Sequence, residues 1–201
     1  MIESFNRSDL LRINVVGVSG SGKSWLSRRL GEILNVPVTE MDRLQWGPKW
    51  TAAETDTLRS RVAEVVEQDR WILDGNYHEK THDIKWPRAT LIVWVDMPFL
   101  TTIWRVLKRA VRRSWTGEEL WPGTGNRETF RGTFLSFDSV VLWAMKTYWP
   151  IRRLYLPFSV SNSDSDQGPR FIRLRSQREI AELLTTIHET IEPSTRRGSE
   201  K

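Results

Sequence analysis

The sequence predicts an α/β fold in which helices flank a parallel sheet of five strands. Short, nearly continuous apolar runs are the first observation, because strands buried on both faces lack polar alternation. Amphipathic segments with helical spacing lie between these runs, as the crossovers of a parallel sheet require. A glycine-rich loop follows the first run directly. The chain of 201 residues has room for one well-buried domain, which we expect to span residues 1–191.

The first strand, residues 13–18, leads into the sequence Gly-Val-Ser-Gly-Ser-Gly-Lys-Ser at residues 17–24, a full G-x-x-x-x-G-K-S motif. Its glycines allow successive backbone N–H groups to surround a phosphate chain at the N-terminus of the next helix, where the helix dipole also favours anions. We expect Lys23 to neutralise terminal phosphates and the Ser24 hydroxyl to bind Mg²⁺. The predicted phosphate-binding residues are Gly17, Ser19, Gly20, Ser21, Gly22, Lys23 and Ser24.

The second strand is predicted at residues 36–41, and a loop with two tryptophans follows it at residues 42–50. Ligands of open α/β sheets bind beyond the carboxyl ends of the strands, so Asp42 is a candidate to orient an acceptor hydroxyl or to hold Mg²⁺ through water. The alternative is an ordinary aspartate that caps a turn. A helix is expected from Thr51 onward, with Thr51 or Thr55 as its N-cap, and the whole acceptor-binding segment covers about residues 42–69.

The third strand, residues 70–74, ends in Asp74, which precedes a Gly75-Asn76-Tyr77 turn. A carboxylate at this point, beside the phosphate loop, is the usual second contact to hydrated Mg²⁺, and we assign that role to Asp74. His78 follows in the same turn and is interpreted as an exposed loop histidine.

The fourth strand, residues 89–96, is followed by Pro98 and a strongly cationic helix. Arg105 and Arg109 are four residues apart and project from one side of that helix, so both could contact the same phosphates. The ordinary alternative is a solvated basic face. A glycine-rich stretch at about residues 114–128 has no periodicity and predicts a lid, with Arg127 as a further candidate to reach the transferred phosphoryl group.

The remaining third of the chain carries structure rather than chemistry. An aromatic helical pattern at residues 128–158 should end or kink at Pro150, and a surface loop follows at 159–169. The last strand is predicted at 170–174, and Ser176 and Glu179 form a capping-box pattern at the start of the final helix. Residues 192–201 are predicted to be a disordered tail.

Composition limits the partners. The chain has no cysteine, which excludes disulfides and thiolate metal sites and fits a cytoplasmic protein. No apolar run reaches the roughly 20 residues of a bilayer span, so no membrane partner is expected. The net charge of +5 suits nucleic acid and phosphorylated small molecules equally, but no helix-turn-helix, zinc finger or basic zipper is present.

Taken together, these motifs resemble the P-loop kinases of the adenylate-kinase type, and most closely the small bacterial DNA topology modulation proteins. The resemblance rests on the phosphate loop, on Asp42 with Trp46 and Trp50, on the Trp-Ile-Leu-Asp-Gly-Asn-Tyr run at residues 71–77, and on the run at residues 95–98 followed by Arg105 and Arg109. It implies the P-loop NTPase three-layer fold with strand order 2-3-1-4-5, and ATP with Mg²⁺ as ligands. Adenylate kinases proper carry Asp-Gly-Phe-Pro-Arg where this chain has Asn76 and Tyr77.

Two functions follow from this interpretation. The first is a kinase that transfers the γ-phosphoryl group of ATP to a small acceptor, which could be a nucleotide, docked near Asp42. The second is a nucleotide-dependent regulator that binds nucleic acid through its basic helix and Arg152-Arg153. A lid and an aspartate beyond the second strand are useful for a phosphoryl transfer and are not needed to read a DNA groove, so the sequence favours the kinase.

Overall fold

The structure is a computed structural model that describes residues 4–117, 119–121, 123–126, 140–161 and 168–192. Arg127, residues 128–139 of the predicted aromatic helix, residues 162–167 of the predicted surface loop and residues 193–201 of the predicted tail lie outside these described residues.

Five parallel strands form one sheet in the order β2-β3-β1-β4-β5. This confirms the predicted fold class and the strand order that the resemblance implied. The strands are β1 (Arg12–Val16), β2 (Val38–Glu40), β3 (Trp71–Asp74), β4 (Leu91–Val95) and β5 (Arg170–Leu174). The central strand β1 pairs with β3 on one side and β4 on the other, and this places the loop after β1 in the middle of the carboxyl edge.

Helices connect the strands and cover both faces of the sheet. They are α1 (Lys23–Leu34), α2 (Met41–Gln45), α3 (Thr55–Val66), α4 (His78–Lys85), α5 (Phe99–Thr116), α6 (Val140–Ser161) and α7 (Gln177–Ile191). One core cluster joins Ile13 and Val15 of β1 to apolar residues of α1 and α7. A second joins Val16, from the other face of β1, to residues of α3 and α6. Because side chains alternate between the two faces of β1, this strand contributes to both hydrophobic layers.

Several predicted boundaries are wrong, each for a local reason. Strand β2 is shorter than predicted, because Met41 and Asp42 already belong to the one-turn helix α2 rather than to a loop. Helix α3 begins at Thr55 with Glu54 as its N-cap, so neither Thr51 nor Thr55 is the cap. Helix α5 continues to Thr116 and so includes the first three residues of the predicted lid.

Helix α6 does not end at Pro150 but continues through Pro150 and Pro157 to Ser161. Proline removes a helical hydrogen bond at a cost of about 3 kcal/mol, which tertiary packing can offset. The buried residues Ala144, Tyr148 and Tyr155 supply that packing from one side of α6. The final helix agrees with its prediction, since the Ser176 hydroxyl accepts a hydrogen bond from the Glu179 N–H at 3.1 Å.

Across the described ranges, none of the helices is both long and apolar enough to cross a bilayer.

Candidate active site

The phosphate loop leaves the carboxyl end of β1 and enters α1, whose N-cap is Gly22. Gly20 has a φ of 83°, and a Cβ atom there would lie 2.5 Å from Cγ2 of Val106 and 2.6 Å from the carbonyl oxygen of Thr102. Both neighbours belong to α5, so the loop and α5 touch where only glycine fits. The glycine pattern of the motif thus allows α5 to lie directly on the loop.

Asn76 holds the start of the loop. Its Oδ1 accepts a hydrogen bond from the Gly17 N–H at 2.9 Å, and its Nδ2 donates to the Gly17 carbonyl at 2.9 Å. In the sequence, Asn76 stands out only as part of a family pattern, and its contact with the phosphate loop was not predicted. The signal that could have identified this contact is a short amide side chain that closely follows β3, the strand beside β1.

A buried polar network supports the turn that carries Asn76. The ammonium of Lys85 is fully buried and donates to the carbonyls of Asn76 and Gly75. Asn14 of β1 donates to the Gly75 carbonyl at 3.2 Å and accepts from the indole N–H of Trp86 at 3.3 Å. Burial lowers the pKa of Lys85 to about 7. Nothing in the local sequence marks Lys85, because its partners come from the end of a neighbouring strand.

Arg105 and Arg109 of α5 both reach the phosphate loop, as their spacing predicts. Arg105 donates to the Ser21 carbonyl at 3.0 Å, and Arg109 donates to the Ser19 hydroxyl at 2.7 Å. Two guanidinium groups therefore lie beside the backbone that would hold phosphate. The third predicted arginine, Arg127, is outside the described residues.

Asp74 lies at the carboxyl end of β3, opposite Val15 of β1, and is 5% exposed. Burial raises the pKa of its carboxyl group, while the Lys23 ammonium and a hydrogen bond to the Ser24 hydroxyl act in the opposite direction. Its Oδ1 atom has no hydrogen-bond partner among the described residues. A buried carboxylate oxygen without a partner, next to a serine hydroxyl, fits a Mg²⁺ ligand.

Within the described ranges, no three His, Cys, Asp or Glu side chains form a metal-binding group of their own. Mg²⁺ at this site would consequently depend on phosphate oxygens and water for most of its ligands, as is usual for this ion in phosphotransferases.

Asp42 lies on the neighbouring part of the sheet edge, in α2. Its Oδ1 accepts a hydrogen bond from the Tyr77 hydroxyl at 2.8 Å. Burial raises the pKa of Tyr77, and the nearby Asp42 carboxylate raises it further. The phenol therefore stays protonated and remains a hydrogen-bond donor. The charges of Asp42 and Glu40 also act on the carboxyl group of Asp74. Asp42 therefore lies near Asp74, and its predicted role towards an acceptor hydroxyl or Mg²⁺ stays a prediction.

Three tryptophans line the same side. The ring of Trp50 meets those of Trp46 and Trp121 edge to face, with centroid distances of 6.0 and 5.8 Å. The indole N–H of Trp121 donates to Glu40 at 3.3 Å. Trp121 belongs to the predicted lid and Trp46 and Trp50 to the predicted acceptor-binding segment, so the two segments are in contact here.

Asn126 makes the second connection between these segments. Its Oδ1 accepts from the Trp50 N–H and its Nδ2 donates to the Gly47 carbonyl, both at 2.9 Å. Asn126 is 1% exposed. No sequence signal pointed to this residue, because its partners are more than 70 positions away.

Two interpretations of the sequence need correction. His78 is not an exposed loop histidine: it opens α4, stacks on His82 at 4.5 Å and meets Trp86 edge to face at 4.7 Å. Arg152 forms an ion pair with the buried Asp96 at 3.2 Å, and Asp96 also pairs with Arg173. Arg152 therefore has a structural role, which weakens the case for a nucleic-acid surface built on Arg152-Arg153.

The chain was compared with known proteins. No protein-family model matches it, and no curated protein has a similar sequence. The shikimate kinase of Acinetobacter baumannii, solved in complex with shikimate, is 14% identical over 93% of this chain and 96% of its own, with a TM-score of 0.51. The gluconokinase of Sinorhizobium meliloti 1021 is 16% identical over 90% of this chain and 91% of its own, with a TM-score of 0.47.

At these identities the similarity shows the fold, which is that of the small P-loop kinases. The resemblance to DNA topology modulation proteins stays a prediction from the sequence.

Proposed function

We propose that this protein is an ATP-dependent phosphotransferase whose acceptor is a small hydroxyl compound bound beside Asp42. The observation that carries the proposal is the meeting of two arginines of α5 with the phosphate loop, at the sheet edge that also holds Asp42 and Asp74. Phosphoryl transfer depends on positioning and on neutralising charge, which this set of residues can supply.

On the donor side, the backbone N–H groups of the loop and the Lys23 ammonium would hold the phosphate chain of ATP. Arg105 and Arg109 would neutralise charge as the phosphoryl group moves, and we retain Arg127 as a further candidate for this role. Mg²⁺, when bound, would be held by Ser24 and Asp74 and would neutralise part of the phosphate charge. An enzyme of this kind is expected in the cytoplasm, where ATP is present.

On the acceptor side, Asp42 would accept the proton of the attacking hydroxyl or orient that hydroxyl through a hydrogen bond. The Tyr77 hydroxyl occupies Oδ1 of Asp42 and so fixes the direction of the carboxylate. Trp46 and Trp50 would cover the apolar part of the acceptor. A nucleotide remains within this class of acceptor.

A coupled assay of ADP release tests the proposal, with a panel of nucleotides, sugars and other small alcohols as acceptors. Turnover above that of the Lys23→Ala variant is expected with at least one acceptor. The Asp42→Asn variant should lose transfer and keep its stabilisation by MgATP, because Asp42 lies outside the phosphate loop. ADP release no faster than that of Lys23→Ala with every acceptor would contradict the proposal.

A further inference from the structure

Helices α5 and α6 expose large apolar side chains to solvent. Leu100 is 79% exposed, Trp104 62% and Trp115 90%. Soluble proteins rarely expose several such residues together unless they form an interaction site. We call this region the α5–α6 surface and define it by Leu100, Trp104, Val111, Trp115, Trp143 and Trp149.

The apolar residues of α5 form one stripe. Leu100, Trp104, Val111 and Trp115 recur at intervals of four, seven and four, which keeps them on one side of a helix. The buried residues of α5 lie on another side, and Arg105 and Arg109 turn towards the phosphate loop. The stripe therefore has no function in the core or in the proposed catalysis.

Helix α6 adjoins α5. The ring of Phe99, at the start of α5, packs edge to face on Tyr148 at 5.0 Å and stacks on Trp149 at 6.5 Å. Trp149 is itself half exposed, and Trp143 of the same helix is 63% exposed. Trp149 therefore lies beside the start of α5, where the stripe begins at Leu100.

The charge of these two helices has one sign. Together they contain eight arginine and lysine residues and no aspartate or glutamate, whereas the whole chain has a net charge of only +5. Arg105 and Arg109 contact the phosphate loop and Arg152 pairs with Asp96, so these three do not belong to the surface. Lys108, Lys146 and Arg153 are among the exposed ones. Exposed cations thus lie on the same two helices as the apolar residues, and neither α5 nor α6 contributes a carboxylate.

We propose that the α5–α6 surface binds the surface of an anionic phospholipid bilayer, without crossing it. Tryptophan favours the membrane–water interface, aliphatic side chains enter the boundary of the acyl chains, and lysine and arginine attract anionic headgroups. The absence of a membrane partner expected from the sequence concerned spanning segments, which binding at the surface does not need.

Two other occupants fit less well. A second copy of the chain would bring together two pairs of helices that carry cations and no carboxylate, and like charges in contact oppose association. Nucleic acid would match the charge and the tryptophans, but it offers little to Leu100 and Val111, because its recognition rests on phosphate contacts and base stacking.

Co-sedimentation with vesicles of phosphatidylglycerol and phosphatidylcholine, and with vesicles of phosphatidylcholine alone, tests the proposal. The full chain should bind the anionic vesicles, and the binding should weaken as salt is added. The double variant Trp104→Ala/Trp115→Ala should bind about tenfold more weakly or worse. Trp25→Ala is the matched control, because Trp25 is also an exposed tryptophan, at 53%, but belongs to α1 and not to this surface, so its loss should leave vesicle binding unchanged.

Circular dichroism and the thermal shift with MgATP establish that each variant is folded. Failure to bind anionic vesicles, equal binding of the double variant, or equal loss in Trp25→Ala would each overturn the proposal. A DNA duplex that binds where vesicles do not would identify nucleic acid as the partner instead. A dimer that the double variant converts to monomer, with no vesicle binding, would identify a second copy.

Discussion

At the level of single residues, Asn76 determines how the phosphate loop begins. Its amide contacts both the N–H and the carbonyl of Gly17, so it fixes the peptide groups on either side of that glycine. The Lys85 ammonium donates a hydrogen bond to the backbone carbonyl of Asn76. The position of the loop thus depends on a chain of hydrogen bonds that starts in α4, outside the motif.

The Asn76→Ala variant should weaken MgATP binding about tenfold and lower the free energy of unfolding by about 1–3 kcal/mol, because it leaves the buried Gly17 N–H and carbonyl without partners. Calorimetric titration and urea unfolding measure the two effects. Tyr155→Phe is the matched control, since the Tyr155 hydroxyl donates to the same Oδ1 at 3.4 Å and its loss leaves both hydrogen bonds between Asn76 and Gly17 in place. Equal losses in both variants would contradict a specific role for the Gly17 contacts.

His78 makes stability depend on pH in the acidic range. Burial lowers its pKa from the ordinary 6.5 to about 4, and His82 and Lys85 act in the same direction. Between these values the unfolded chain binds a proton at His78 that the folded protein does not, so stability decreases as pH falls from 6.5 towards 4.

The His78→Phe variant removes this proton and should lose less stability over the same range, by about 1–2 kcal/mol after allowance for the partial exposure of the ring. Urea unfolding of both proteins at about pH 7 and about pH 4.5 measures the difference. Identical pH dependence of the two proteins would show that His78 titrates as it does in the unfolded chain.

At the level of elements, α5 presents three sides with different surroundings. Val106 and Ala110 pack into the protein, Arg105 and Arg109 contact the phosphate loop, and the apolar stripe faces solvent. Because residues three and four apart share a side of a helix, one segment can serve all three.

Replacement of Arg105 or Arg109 by alanine should lower kcat of the proposed transfer about 10- to 100-fold, because each removes a cation beside the moving phosphoryl group. Lys108→Ala is the control on the same helix, since Lys108 is exposed and should leave kcat unchanged. Steady-state kinetics with the acceptor found in the panel measure the effect. A similar decrease in Lys108→Ala would indicate a general effect of helix charge instead.

The elements also show which parts of the molecule are predictable from sequence. All five strands follow from local pattern, and the structure agrees. The spacing of Arg105 and Arg109 predicts that they project from one side of α5, and both contact the phosphate loop, while their role towards phosphate stays a prediction. For α6, the local pattern left open whether the helix ends or kinks at Pro150, and tertiary packing decides that it continues. Lys85 and Asn126 were also missed, since a buried lysine and a loop asparagine acquire their roles only from partners on other elements.

At the level of the whole molecule, the two sides of the site are joined by contacts between distant segments. Residues 119–121 and 123–126 follow α5, which lies on the phosphate loop, and they also contact the predicted acceptor-binding segment through Trp121 and Asn126. A displacement of these residues would therefore alter the acceptor side first. The sheet, by contrast, is covered by both core clusters, and these clusters contain neither Trp121 nor Asn126.

The Asn126→Ala variant tests this separation, because it leaves the Trp50 N–H and the Gly47 carbonyl without their partner. Amide hydrogen exchange should become faster at Trp50 and its neighbours, while the amides of β1 and β4 keep their protection, since the opening is local. Stabilisation by MgATP should persist and the proposed transfer should slow. Faster exchange throughout β1 and β4 would instead make Asn126 part of the cooperative core, so that the acceptor side could not open without unfolding the donor side.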